Sequence, residues 1–200
     1  MDRRLDIANE LIRFFQNHPI VKDAFLRGSL VNNGRDEYSD IDIGIDVSGY
    51  DNGKFAKELP ELMQRNFEIL FYDWSPSHLP LDYIITFIHQ DFPIFWIIDI
   101  QIIATPHYSS LKEVPVNKYQ HLLKLWILNL KYCLRGNEGC EMQVNKLYFR
   151  TFGKDIENID SYYILLEIIR EIRSNIEPEL YQFTIECENQ LLRNKLLFYK

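Results

Sequence analysis

Two aspartates, one residue apart, stand near the start of Ser39-Asp40-Ile41-Asp42-Ile43-Gly44-Ile45-Asp46-Val47. In an extended chain side chains alternate between faces, so Ile41, Ile43, Ile45 and Val47 share one side while Asp40, Asp42, Gly44 and Asp46 share the other. Two carboxylates on one face of a rigid strand repel each other, and a bound cation resolves the conflict. Mg²⁺ suits such a pair: it is a hard ion commonly held by a few carboxylates, several waters and substrate phosphates. A third carboxylate, Asp99, lies inside Trp96-Ile97-Ile98-Asp99-Ile100-Gln101-Ile102, where a lone ionised group costs several kcal/mol to bury unless compensated. Gly28-Ser29 precedes Asp40 by ten intervening residues. Glycine lets backbone approach a phosphate closely, and a serine hydroxyl with nearby N–H groups can hydrogen-bond its oxygens. Together these groups fit phosphoryl or nucleotidyl transfer, chemistry that rests on positioning and on divalent cations neutralising phosphate charge.

The elements that must position them are legible as period and punctuation. From about Asp2 to His18, Ala8, Leu11, Ile12 and Phe15 form one helical stripe that Pro19 stops. Val21 to Arg27 reads as a strand ending at Gly28-Ser29, and Asn32 to Glu37 as loop. Ser39 to Val47 reads as the second strand. Lys54 to Asn66 reads as a helix containing Pro60, Phe67 to Tyr72 as a strand and Asp73 to Pro80 as loop. Tyr83 to Ile88 and Ile94 to Ile103 read as a hairpin around Gln90-Asp91-Phe92-Pro93. Beyond a linker holding Pro106 and Pro115, every segment reads as helix: Asn117 to Leu134, Glu141 to Phe152, Asp160 to Asn175 and Pro178 to Tyr199. Strands followed by a run of helices imply an α+β fold, a mixed β-sheet domain flanked by helices (residues 1–112) and a C-terminal helical bundle (113–200).

The ordered set Gly28-Ser29…Ser39-Asp40-Ile41-Asp42, with Asp99 on a later apolar strand, resembles the signature of the DNA polymerase beta-type nucleotidyltransferase superfamily. The resemblance covers roughly the first half of the chain. It implies that Asp40, Asp42 and Asp99 are catalytic and hold two Mg²⁺ ions, and that Gly28 and Ser29 hold the β/γ phosphates of a nucleoside triphosphate. A hydroxyl would then attack the α-phosphorus and release pyrophosphate. More loosely, the helical half is similar to the C-terminal bundles of small antibiotic nucleotidyltransferases acting on aminoglycosides and lincosamides. Leu130-Lys131-Tyr132-Cys133-Leu134-Arg135-Gly136-Asn137 carries that likeness, and Lys131 and Arg135, four apart on a helix, become candidates to face the triphosphate. AMP from ATP and a small-molecule acceptor, held between the sheet and the bundle, are what that likeness implies. Two other readings stand beside it: an antitoxin-type transferase modifying a protein partner, and a non-catalytic nucleotide-binding module.

Composition sets bounds. With 46% hydrophobic and 26% charged residues, the 200-residue chain can bury a core and is not of disordered type. Its formal charge of −7, without a dense Lys/Arg run, leads to the expectation that nucleic acid is not a partner. Cys133, Cys140 and Cys187 read as too few and too irregular for a disulfide framework, and the five histidines show no zinc-type pairing. No apolar run is long enough for a membrane span, and the first residues lack a signal-peptide stretch, so a cytoplasmic protein is the expectation. A monomer and a homodimer are both compatible with the sequence.

Overall fold

A computed structural model of the chain describes residues 2–32 and 34–199. The chain divides into two compact units, Met1–Val116 and Asn117–Lys200, so residues 113–116 belong with the strands rather than with the helices. The first unit is α+β. Its elements in order are α1 (Arg3–Gln16), β1 (Asp23–Leu26), β2 (Ile41–Asp46), α2 (Asn52–Asn66), β3 (Ile69–Trp74), β4 (Tyr83–His89) and β5 (Ile98–Ile103). The strands form one mixed sheet in the order β1-β2-β5-β4-β3, in which β2 and β5 run parallel and the other neighbours antiparallel.

Sequence and sheet agree most closely on β2. Ile41, Ile43 and Ile45 are fully buried, while Asp42 and Asp46 on the opposite face are half-exposed. The apolar face is covered by α1, through Ile7, Ala8, Leu11 and Phe15, and by α2, through Phe55, Ala56, Leu59 and Met63. Both helices are held at their N-termini by an aspartate: Asp2 accepts from the Arg4 N–H, and Asp51 accepts from the N–H groups of Gly53 and Lys54. Pro60 sits inside α2 without ending it. The helices therefore occupy one face of the sheet, and the carboxylates lie on the other.

Several boundaries differ from the sequence reading by a residue or two, and three differences change an assignment. β3 runs on to Trp74, so Asp73 belongs to the sheet and not to the following loop. Ile94 to Ile97 are not strand; Pro93 turns the chain, with the Trp96 N–H bonded to the Pro93 carbonyl at 2.8 Å, and β5 begins only at Ile98. Apolar residues beyond a proline mimic a strand in sequence although the backbone is turning. The last helical stretch is also divided, with α6 (Tyr181–Arg193) bounded by 3-10 turns at Pro178–Leu180 and Lys195–Tyr199.

The second unit holds α3 (Lys118–Leu134), α4 (Cys140–Phe152), α5 (Ser161–Asn175) and α6, packed through stripes such as Leu165, Ile168, Ile169 and Ile172. Trp126 is fully buried there and donates its indole N–H to the Leu165 carbonyl at 2.8 Å, a core role. The cysteine reading is corrected on one point. Cys133 and Cys140 are disulfide-bonded, their Cα atoms 5.1 Å apart, because the turn through Gly136 and Gly139, both at positive φ, folds the end of α3 back on the start of α4.

Candidate active site

The carboxylate face is built by register. Asp42 on β2 stands directly beside Asp99 on β5, Asp99 beside Thr86 on β4, and Thr86 beside Asp73 on β3. Residues paired directly across neighbouring strands project to the same face, so Asp42, Asp99, Thr86 and Asp73 form one transverse row. Asp42 and Asp99 are half-exposed, whereas Thr86 and Asp73 are buried. The Thr86 hydroxyl donates to Asp99 Oδ1 at 2.6 Å, a short bond of the charge-assisted kind.

Gly28 closes the row on the β1 side. The Arg27 N–H bonds the Asp42 carbonyl at 2.8 Å, and the chain then turns through a single 3-10 turn, Gly28–Leu30. Gly28 has φ +64°, a conformation glycine adopts without steric cost. A Cβ on it would lie 2.0 Å from Asp42 Oδ2, so the glycine backbone is pressed against that carboxylate. Ser29, next in the turn, is half-buried. Gly44 interrupts the acidic alternation for a similar reason: a Cβ there would meet the Phe25 ring at 2.5 Å and the Arg27 stem at 2.9 Å, which cover the strand at that point.

Asp40 immediately precedes β2, and the loop delivering it is fixed by Arg4, which sequence reading passed over, and by Ser39 of the signature. The buried Arg4 donates to the carbonyls of Asp36 (2.6 Å) and Ser39 (3.1 Å) and pairs with Asp2 at 2.8 Å. Ser39 donates its hydroxyl to Asp36 and accepts from the Asp36 N–H, both at 2.9 Å. The hydrogen bond from Arg4 holds the Asp2 carboxyl below its ordinary range against the opposing effect of burial. Asp46 is committed to a turn, accepting from the N–H and hydroxyl of Ser48. His89 stacks on Phe92, with burial lowering its pKa.

Lys131 and Arg135 belong to the second unit. Lys131 is buried, at 2% exposed, while Arg135 caps the exposed end of α3.

Whether this face suits Mg²⁺ is a question of donors. Among the described residues no group of three or more His, Cys, Asp or Glu side chains stands as a ready metal cage. Asp42 and Asp99 nevertheless present hard oxygen donors side by side on one face, beside a turn at which Gly28 puts no side chain of its own against Asp42. One or two carboxylates completed by water and phosphate is the usual Mg²⁺ arrangement, and the donors present fit it.

No protein-family profile matches the chain, and no curated protein matches it. Among solved structures it is similar to the GLD-2/RNP-8 complex, at 14% identity and TM-score 0.40, over 91% of this chain and 60% of that one. It is likewise similar to the polymerase core of TRAMP, described as an RNA surveillance complex, at 15% identity and TM-score 0.39, over 88% of this chain and 60% of that one. The chain thus spans about 60% of the length of each structure it matches. One expectation is corrected at this point. The expectation that nucleic acid is not a partner is not kept: one neighbour is described as the polymerase core of an RNA surveillance complex. Nor do these likenesses single out antibiotic-modifying transferases.

Proposed function

We propose that this chain is a metal-dependent nucleotidyltransferase of the DNA polymerase beta type, transferring a nucleoside monophosphate from a nucleoside triphosphate to a hydroxyl. The observation that carries the reading is the juxtaposition of Asp42 and Asp99 in adjacent parallel strands, with the Gly28 backbone closed against the Asp42 carboxylate. Asp40, Asp42 and Asp99 are the residues to hold divalent ions, whose contribution when bound is to neutralise phosphate charge and to acidify the attacking hydroxyl. The turn at Gly28 and Ser29 binds the triphosphate: its N–H groups and the serine hydroxyl are donors, and the absence of a Cβ keeps the approach open. Arg4 and Ser39 hold the approach to Asp40, and the sheet keeps Asp42 and Asp99 in register as the phosphates arrive. No residue in the row specifies the base, and the acceptor is defined here only as a hydroxyl.

Asp42→Asn tests the reading, because it removes charge with little change of volume. Full-length protein is incubated with each α-labelled ribonucleoside triphosphate, Mg²⁺ and an acceptor panel that includes an oligoribonucleotide with a free 3′ hydroxyl. Label should move to one acceptor class with wild type, and transfer should fall by at least about a hundredfold with Asp42→Asn at unchanged circular dichroism. Equal transfer by the variant would sink the assignment.

A further inference from the structure

The row contains one buried side chain that could not itself ligate a hard cation well yet controls one that can. Thr86 Oγ1 donates to Asp99 Oδ1 at 2.6 Å, and Thr86 is only 4% exposed. Both residues sit on interior strands, β4 and β5, paired at register Thr86↔Asp99, so neither backbone has room to shift. A β-branched threonine has little χ1 freedom, which fixes the hydroxyl in place. Asp99 therefore meets whatever binds this face with one carboxylate oxygen already engaged.

Resting on the reading above, we propose that Thr86 is a positioning residue that determines metal choice: by holding Asp99 Oδ1, it restricts Asp99 to ligation through Oδ2 and so favours Mg²⁺ over Ca²⁺. A carboxylate chelating through both oxygens subtends an angle well short of the right angle an octahedral ion requires. Mg²⁺ demands near-ideal octahedral geometry, whereas the larger Ca²⁺ takes six to eight oxygens and accepts bidentate carboxylates. An oxygen already accepting a short hydrogen bond is also a weaker second ligand. Removing the donor frees Oδ1 and lets Asp99 rotate, which costs Mg²⁺ its preset ligand and gives Ca²⁺ a bidentate one.

Calorimetric titration of the full-length protein with MgCl₂ and, separately, CaCl₂, in the presence of a non-hydrolysable triphosphate, reads this without activity. Thr86→Val should lower the ratio of Mg²⁺ to Ca²⁺ affinity by about tenfold, the usual size of an outer-shell effect on a metal site. Thr86→Ala, which removes the donor without adding bulk beside the carboxylate, should do the same. Thr86→Ser, which keeps the hydroxyl, should restore the wild-type ratio. An unchanged ratio in folded Thr86→Val and Thr86→Ala overturns the inference and leaves the active-site reading intact. A wild-type protein that binds neither cation, with Asp42→Asn indistinguishable from it, overturns both.

Discussion

Gly28 illustrates how a residue picked out for one reason turns out to have a second. In sequence its task is to let backbone approach a phosphate; in the fold it also makes room for Asp42, since a Cβ would stand 2.0 Å from Oδ2. Gly28→Ala thus carries two penalties. One is about 1–2 kcal/mol for an L-residue at φ +64°. The other is displacement of the carboxylate from the row. Calorimetry should show Mg²⁺–triphosphate affinity falling by more than in Ser29→Ala, which loses one hydrogen bond to a charged group, about 1.5–3 kcal/mol. Affinity at the wild-type level in Gly28→Ala would mean that Asp42 does not need its present position. The carboxylates themselves were legible because an ionised side chain in an isoleucine strand is conspicuous. Arg4, Thr86 and Asp73 were not. An arginine in a first helical turn reads as solvated, a threonine reads as an ordinary strand former, and Asp73 adjoins a Ser-Pro cluster that reads as loop.

Elements were legible in proportion to the strength of their period. β2 alternates strictly, and its two faces part in the fold as the alternation demands. Nothing local announces that β5 lies parallel to β2 and between β2 and β4; that order follows from burying all the isoleucine faces under α1 and α2 at once. The α5–α6 pair shows a contact that period cannot reveal. Glu188 on α6 accepts from Arg170 (2.8 Å) and Arg173 (2.5 Å) on α5, and Arg173 also bonds the Thr184 carbonyl at 3.0 Å. Burial acts to raise the Glu188 pKa, but the hydrogen bonds from Arg173 and Arg170 outweigh it, so the carboxyl lies below its ordinary value. A depressed folded pKa means that this clamp stabilises fully above the unfolded carboxyl value of about 4.3 and is lost as pH falls through the lower folded value. Glu188→Gln should cost about 1–2 kcal/mol at pH 7, with the gap to wild type narrowing as acid takes the carboxyl below its ordinary range. Thermal melts across an acid series read the difference, and a gap that did not narrow on acidification would show that the ion pair is not its origin.

On the scale of the whole molecule, two units with different construction share one chain. Met1–Val116 draws its stability from a mixed sheet packed against α1 and α2, whereas Asn117–Lys200 is a small helical unit with a covalent cross-link between α3 and α4. No described helix is long and apolar enough to cross a membrane. The cross-link escapes cysteine counting because three scattered cysteines give no framework pattern; the pairing depends on a glycine turn bringing two helix ends together. With a sequence separation of 7, closing that loop in the unfolded chain contributes about 2–3 kcal/mol in the chain-entropy description. For a unit of this size, reduction should lower the midpoint of helix melting by roughly 10 °C or more. The strand unit contains no cysteine, so its own transition and its Mg²⁺–triphosphate affinity should stay where they were. Amide NMR resolves the two sets of signals through a thermal ramp with and without reductant. If signals from both units shifted together, the chain would be one cooperative body, and the bundle's redox state would be felt at the carboxylate row. Separate transitions, with only the helical one moving, would establish that the carboxylate face folds independently of the cross-link.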